Sequence, residues 1–227
     1  MYNQFMDFKY IVGIDEVGRG PIAGPVAVCS FSCKSDFFDT IPTSPTGGKL
    51  PKLRDSKKLS KKQREEWFEY LKVAKTEGKC SFAVSFVSSE NIDKFGIAKC
   101  IQKALDKSLL DVTKQDLENY SRFTLKRSYA THNFLNLASF NIFLDGGLHA
   151  PKEYINQQTI IKGDELHPVI SCASIMAKVT RDRLMTNFVK EYPGYGFEKH
   201  SGYGTRAHYD AIKKHGQTPI HRKTFIH

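Results

Sequence analysis

The sequence predicts an α/β protein built in layers, and three observations carry that prediction. Short apolar, β-branched runs alternate with stretches of helical periodicity along the chain. Several of those runs stop at a carboxylate beside glycine, as strands do at a sheet edge. The length of 227 residues, with 40% hydrophobic and 26% charged, suffices for a buried core without a metal or disulfide staple. Strands interleaved with crossover helices pack as layers of helix on sheet.

Taken in order, Tyr10 to Asp15 reads as a strand ending in the carboxylates Asp15 and Glu16, and Pro25 to Phe31 as a second, buried strand. Between them lies Gly18-Arg19-Gly20-Pro21-Ile22-Ala23-Gly24-Pro25, dense enough in glycine to let backbone approach backbone or a ligand closely. Ser35 to Pro51 reads as a surface loop. Its Gly47-Gly48-Lys49 lacks the spacing of a phosphate loop, so nucleotide hydrolysis is not supported. Ser60 with Gln63 predicts a capping box for a helix to about Lys75, with Trp67, Phe68, Leu71 and Ala74 as its apolar face. Cys80 to Val87 alternates Phe82, Val84 and Phe86 as a third strand. Ile97 to about Leu110 carries Ile97, Ile101, Ala104, Leu105 and Leu109 at helical spacing. Asp111 to Asn136 reads as an inserted helix pair or a long excursion. Strands follow at Phe140 to Leu144 and Thr159 to Lys162, ending at Asp145-Gly146-Gly147 and Gly163-Asp164. A long helix is predicted over Ser171 to Tyr192, opening with small residues that permit close packing. A last helix runs from about Thr205 to His215, before a tail containing His221 and Arg222.

Lys and Arg number 34 against 24 Asp and Glu, a formal charge of +10 that attracts polyanions such as nucleic acid. The five cysteines form no C-x-x-C, which supports neither a disulfide framework nor a zinc finger and points to a reducing, cytoplasmic setting. Gly20 to Cys33, the longest uncharged stretch, is too short and too rich in Gly and Pro to span a bilayer, and the start has no signal-peptide layout.

Four carboxylates stand out in this basic chain. Asp15, Glu16, Asp145 and Asp164 each sit where an apolar strand gives way to glycine. Gathered at one sheet edge they would repel unless cations bridged them, and Mg²⁺ or Mn²⁺ suits oxygen ligands. A pair of such ions can assist cleavage of a phosphodiester. Taken alone, Asp145 or Asp164 reads as a turn or cap. Asp15-Glu16, between a strand and a glycine loop, reads as functional. Asp182, between Arg181 and Arg183 on a helix, is a rival ligand that reads better as a structural ion pair.

The stretch Gly13-Ile14-Asp15-Glu16-Val17-Gly18-Arg19-Gly20-Pro21-Ile22-Ala23-Gly24-Pro25-Val26 resembles the signature of type 2 ribonuclease H, the bacterial ribonuclease HII family. The resemblance continues at Asp55-Ser56-Lys57-Lys58-Leu59, Asp145-Gly146, Lys162-Gly163-Asp164 and Ala173 through Asp182. It ends on Tyr192 through Phe197, Gly202-Tyr203-Gly204-Thr205 and Pro219-Ile220-His221-Arg222, so nearly the whole chain is covered. It implies an RNase H-like fold with a central mixed sheet over residues 1–192 and a small C-terminal helical, substrate-contacting region over 193–227. It implies cleavage of RNA in RNA–DNA hybrids and incision 5′ of single ribonucleotides in duplex DNA, leaving 3′-OH and 5′-phosphate.

By position, Asp15, Glu16, Asp145 and Asp164 match the family's metal-binding carboxylates. Gly18-Arg19-Gly20 matches the backbone motif that senses the ribose 2′-OH, and Tyr203 the tyrosine that packs on the neighbouring deoxynucleotide. The related type 3 enzymes usually carry Gly-Lys-Gly, so Arg19 favours type 2. Lys57 and Lys58 are expected to meet phosphates. His221 and Arg222 divide between phosphate contact and docking of the tail. His208 reads as a helix-surface or packing residue, and Tyr195 and Phe197 as core residues. Ser201 stands where a lysine is common, and Cys172 where alanine is usual. The resemblance favours a monomer. Two other readings stay open. A Holliday-junction nuclease or transposase would share the acidic strand ends but lacks the Gly-Arg-Gly and Gly-Tyr-Gly-Thr blocks. A non-catalytic basic nucleic-acid-binding module would explain the charge and leave the carboxylates without purpose.

Overall fold

A computed structural model describes residues 10–41, 50–124 and 137–226, with backbone alone over 120–124. Five strands, β1 (Tyr10–Val17), β2 (Val26–Cys33), β3 (Cys80–Val87), β4 (Phe140–Asp145) and β5 (Gln157–Ile160), form one sheet in the order β3-β2-β1-β4-β5. Pairing is antiparallel across β1–β2 and β2–β3 and parallel across β1–β4 and β4–β5, so the sheet is mixed.

Helices cover both faces. Alternation along β1 sends Val12 and Ile14 to one face, where they pack with Ile101, Leu105 and Leu109 of α3 (Ile97–Thr124). The other face packs against α1 (Lys61–Thr76) and α5 (Pro168–Glu191), with Phe31 and Cys29 meeting Trp67, Leu71, Cys172 and Ile175. Each fully buried aliphatic side chain contributes about 1.5–3 kcal/mol. Gly13 is what lets α5 cross β1 so closely, since a Cβ there would stand 2.3 Å from the Val169 carbonyl. The capping box of α1 is formed as predicted: Gln63 N–H donates to the Ser60 hydroxyl, and Ser60 N–H donates to the Gln63 side chain.

Three other helices are short: α2 (Ser89–Phe95), α4 (Gly163–Leu166) and α6 (Phe197–His200), with α7 (Arg206–His215) closing the chain's helical part. A separate small core joins Ala23 and Met185 to Tyr195, Phe197 and Ala211, so the segment after residue 193 docks on α5 and on the loop after β1. All five cysteines are buried and free. No described helix is long and apolar enough to cross a membrane.

Several sequence expectations are corrected. The helix expected to stop near Leu110 runs on to Thr124, because Val112 and Thr113 stay buried against the core. The strand expected over Thr159 to Lys162 is Gln157–Ile160, and Asp164 lies in the first turn of α4 instead of at a strand end. The long helix opens at Pro168, which suits its first turn, earlier than the expected Ser171. The loop expected over Ser35 to Pro51 holds a 3₁₀ turn at Phe37–Thr40. Its Gly47-Gly48-Lys49, and residues 125–136 of the expected excursion, lie outside the described residues.

Candidate active site

Strand register brings the first carboxylates together. Ile14 pairs with Leu144 across the parallel β1–β4 ladder, so Asp15, two residues before the end of β1, and Asp145, the last residue of β4, come side by side on the α5 side of the sheet. Asp164 is brought back to them by the turn after β5, where Gly163 N–H donates to Asp145 Oδ1 at 2.7 Å. Gly163 packs closely here: a Cβ would stand 2.5 Å from Ile170 Cδ1, so that side chain would have to shift to admit one. Glu16 N–H donates to Asp15 Oδ1 at 2.7 Å, and Glu16 itself takes a bond from Arg19 Nη1 at 3.2 Å.

At Asp15, Glu16 and Asp164, burial and mutual repulsion together outweigh the relief from the nearby Arg19 and Lys57. Burial first, then the charge of Glu16, holds the Asp15 carboxyl well above the usual carboxylate range, and Asp145 and Asp164 add to it. A hydrogen bond from Ser174 acts the other way. Glu16 is raised by burial and by Asp145, against the pull of Arg19. Asp164 is raised by burial, then by Asp55 and Asp145. Lys57, with Nζ 3.8 Å from Asp164 Oδ2, is raised because Asp164, Asp55, Asp15 and Asp145 together outweigh the opposing effect of its burial. Lys58 pairs with Glu165 on the same side.

Asp55 and the serines are the residues that sequence reasoning passed over. Asp55 is buried, accepts from Lys57 N–H at 2.8 Å, and lies against Asp164 as a fifth carboxylate. Ser174 bonds Ser56 at 2.8 Å as well as Asp15, and Ser171 donates to the Asp164 carbonyl at 2.7 Å. The small residues opening α5 therefore pack closely and also orient the acidic cluster. The signal for Asp55 was present, since it heads a block read only for its two lysines.

Among the described residues, no three His, Cys, Asp or Glu side chains stand gathered at the spacing of a metal-ligand set. The donor chemistry nonetheless fits a hard divalent cation: every candidate ligand is a carboxylate oxygen, and the mutual repulsion is what such a cation relieves.

The glycine loop has a fixed shape. Gly18 has φ +89, and a Cβ there would stand 2.3 Å from Arg181 Nε, so only glycine fits. Gly18 is buried while Arg19 and Gly20 are exposed. Tyr203 is 43% exposed, and its ring lies 3.9 Å from where a Cβ on Gly20 would be. From Tyr203 a groove of about 440 Å³ runs past Lys199, Lys178, Arg64 and Lys61. Asp182 takes bonds from Lys178 Nζ at 2.9 Å and the Ser201 hydroxyl at 2.8 Å, which makes it the structural ion pair expected.

Of the two readings left open for His221 and Arg222, burial favours docking of the tail: they are 2% and 0% exposed, so neither side chain is open to a phosphate. They dock the tail instead, bonded to backbone beneath the glycine loop. His208, Tyr195 and Phe197 are buried, as packing residues should be.

The chain is similar to known proteins in both sequence and fold. The sequence model of the family described as Ribonuclease HII matches residues 12–133 and 135–227. A ribonuclease HII of Clostridioides difficile (strain 630) is 37% identical over 219 residues, 96% of this chain and 71% of that one. The ribonuclease HII in a complex with PCNA from Archaeoglobus fulgidus superposes with TM-score 0.62 at 26% identity, covering 96% of this chain and 95% of that one. The fold is also that of a ribonuclease HIII, Bst-RNase HIII solved with Mn²⁺, at TM-score 0.62, 14% identity and coverage of 97% and 68%.

Proposed function

The chain belongs to the ribonuclease HII family of hydrolytic endonucleases, which act on RNA–DNA hybrids, and on that premise we propose that it also incises duplex DNA 5′ of single embedded ribonucleotides. The observation that carries this reading is the adjacency of the acidic cluster to a glycine loop and an exposed tyrosine. A cutting centre beside a sugar-reading surface suits a substrate in which one 2′-OH marks the site.

In this reading Asp15, Glu16, Asp145 and Asp164 hold one or two Mg²⁺ or Mn²⁺ ions. Bound there, such ions supply water activation and neutralise charge on the phosphate. Asp55, Ser171 and Ser174 keep the carboxylates oriented. The Arg19 and Gly20 backbone reads the 2′-OH, Tyr203 packs on the adjoining deoxyribose, and Lys57 and Lys58 face the phosphates beside the cleft. The products are a 3′-OH and a 5′-phosphate.

The test offers three substrates: a DNA duplex with one ribonucleotide, an all-DNA duplex and an RNA–DNA hybrid, each with Mg²⁺, Mn²⁺ or EDTA. Incision of the first and third alone, lost with EDTA and in Asp145→Asn, is expected. Equal cutting of all-DNA would overturn the reading. A non-catalytic binding module would cut none of them.

A further inference from the structure

Two adjacent tail residues, both buried, connect to the two surfaces just assigned to substrate. Arg222 spends its guanidinium on three backbone carbonyls: Nη2 donates to Gly18 O at 2.7 Å, Nη1 to Arg19 O at 3.1 Å and Nε to Gly24 O at 2.9 Å. No peptide bond of the described chain is cis. In a trans peptide the C=O and the following N–H point in opposite directions. With the Gly18 and Arg19 carbonyls turned inward to Arg222, the N–H groups of Arg19 and Gly20 leave the other side of the chain, on exposed residues.

His221 begins a second connection. Its Nδ1 lies 2.8 Å from Thr218 N, which can only donate, so its proton sits on Nε2. That Nε2 faces His208 Nε2 at 3.1 Å, which must then accept. The remaining His208 proton is on Nδ1, 2.8 Å from the Tyr203 carbonyl, which can only accept. The two ends of the chain thus demand the same tautomers, and both rings are neutral. Burial lowers the affinity of both imidazoles for a second proton, His208 to a pKa of about 4.

We propose that His221–Arg222 is a positioning unit for both recognition elements, with Arg222 aiming the Arg19 and Gly20 N–H groups at the ribonucleotide and His221, through His208, holding the Tyr203 backbone. The tail backbone reinforces this: Gly24 N–H donates to Ile220 O at 2.8 Å and Arg222 N–H to Ile22 O at 2.8 Å. The Gly202 carbonyl accepts from Ile22 N–H and Ala23 N–H, so the loop and the Tyr203 segment are tied to each other as well. A buried cation aimed at carbonyls cannot bind a phosphate, yet it decides which backbone groups meet one. The proposal rests on the reading of the loop and Tyr203 given above.

The test for Arg222 measures binding without cleavage, in an Asp145→Asn background, to a duplex with one ribonucleotide and to the same duplex in all-DNA. The background protein should prefer the ribonucleotide. Adding Arg222→Ala should erase about tenfold of that preference or more, since small misplacements of reading groups cost up to about a hundredfold. Affinity for all-DNA should hardly change. Should Arg222→Ala fail to fold, Arg222→Lys replaces it, because an ammonium keeps the charge but cannot span three carbonyls.

The test for His221 compares His221→Ala with Tyr203→Ala and the double variant, otherwise wild type. The ratio of junction incision to hybrid incision should fall roughly tenfold in each single variant and scarcely further in the double, as for residues acting through one group. Retained ribonucleotide preference in a folded Arg222 variant, or additive losses in the His221–Tyr203 cycle, would overturn the proposal. Absence of any preference in the background protein would instead overturn the functional reading beneath it.

Discussion

Asp15 shows how a residue can be costly to the fold and required for the chemistry. It is 6% exposed and faces Glu16, Asp145 and Asp164 with only Ser174 and a backbone N–H in relief. Asp15→Asn removes a buried charge among like charges. Its melting temperature should equal or exceed wild type while incision falls by about a hundredfold or more. Calorimetry beside a cleavage assay checks both at once, and a large loss of stability would contradict the electrostatic account. Gly18→Ala should behave differently. With φ +89 and a Cβ 2.3 Å from Arg181 Nε, it should cost about 1–3 kcal/mol and lower incision together with stability.

At the scale of elements, one buried carboxyl on α3 and one buried imidazole on α7 give opposite pH dependences. Asp116 of α3 is raised to about 6 by burial, the neighbouring Ser32 and Ser81 acting the other way, so the folded state binds its proton more tightly than the unfolded chain. Its stabilisation is full below about pH 4 and is lost as pH rises through about 6. Asp116→Asn should therefore gain on the order of 2 kcal/mol at pH 7 and nothing at pH 4, read by denaturant titration at each pH. His208 of α7 is lowered to about 4, by burial first. Its contribution is present above about 6.5 and lost as pH falls through about 4, so the wild-type Tm should decline across that window more than that of His208→Gln.

The elements also show what the sequence could reveal. Strands β1 to β4, α1 and the apolar face of α3 were legible because period and capping are local signals. β5 and α4 were misread because Ile160 and Ile161 continue an apolar run whose end is set by Gly163 bonding Asp145, a contact 18 residues away in sequence. The four carboxylates could be read as a group because each follows a strand or a glycine. Asp55 heads a block read only for its two lysines, and its tie to Asp164 shows only once the chain is folded. For His221 and Arg222 the sequence left phosphate contact and docking of the tail both open, because a basic tail on a basic protein does not say which way its side chains point.

For the whole molecule, a formal charge of +10 surrounds an acidic centre. Binding to duplex should weaken steeply with salt, with a log–log slope near −0.9 for each phosphate neutralised. Lys57→Ala should reduce that slope by about one if the lysine meets a phosphate, measured by fluorescence anisotropy across a salt series. The central claim joins the acidic centre to the sugar-reading loop, and the position of the cut tests it most directly. The measurement is nucleotide-resolution mapping of products from a DNA duplex bearing one ribonucleotide, with Mg²⁺ or Mn²⁺ and with EDTA. A single cation-dependent cut on the 5′ side of the ribonucleotide, leaving 3′-OH and 5′-phosphate, is the expected result. Cuts scattered along the DNA, or a cut that persists in EDTA, would contradict it.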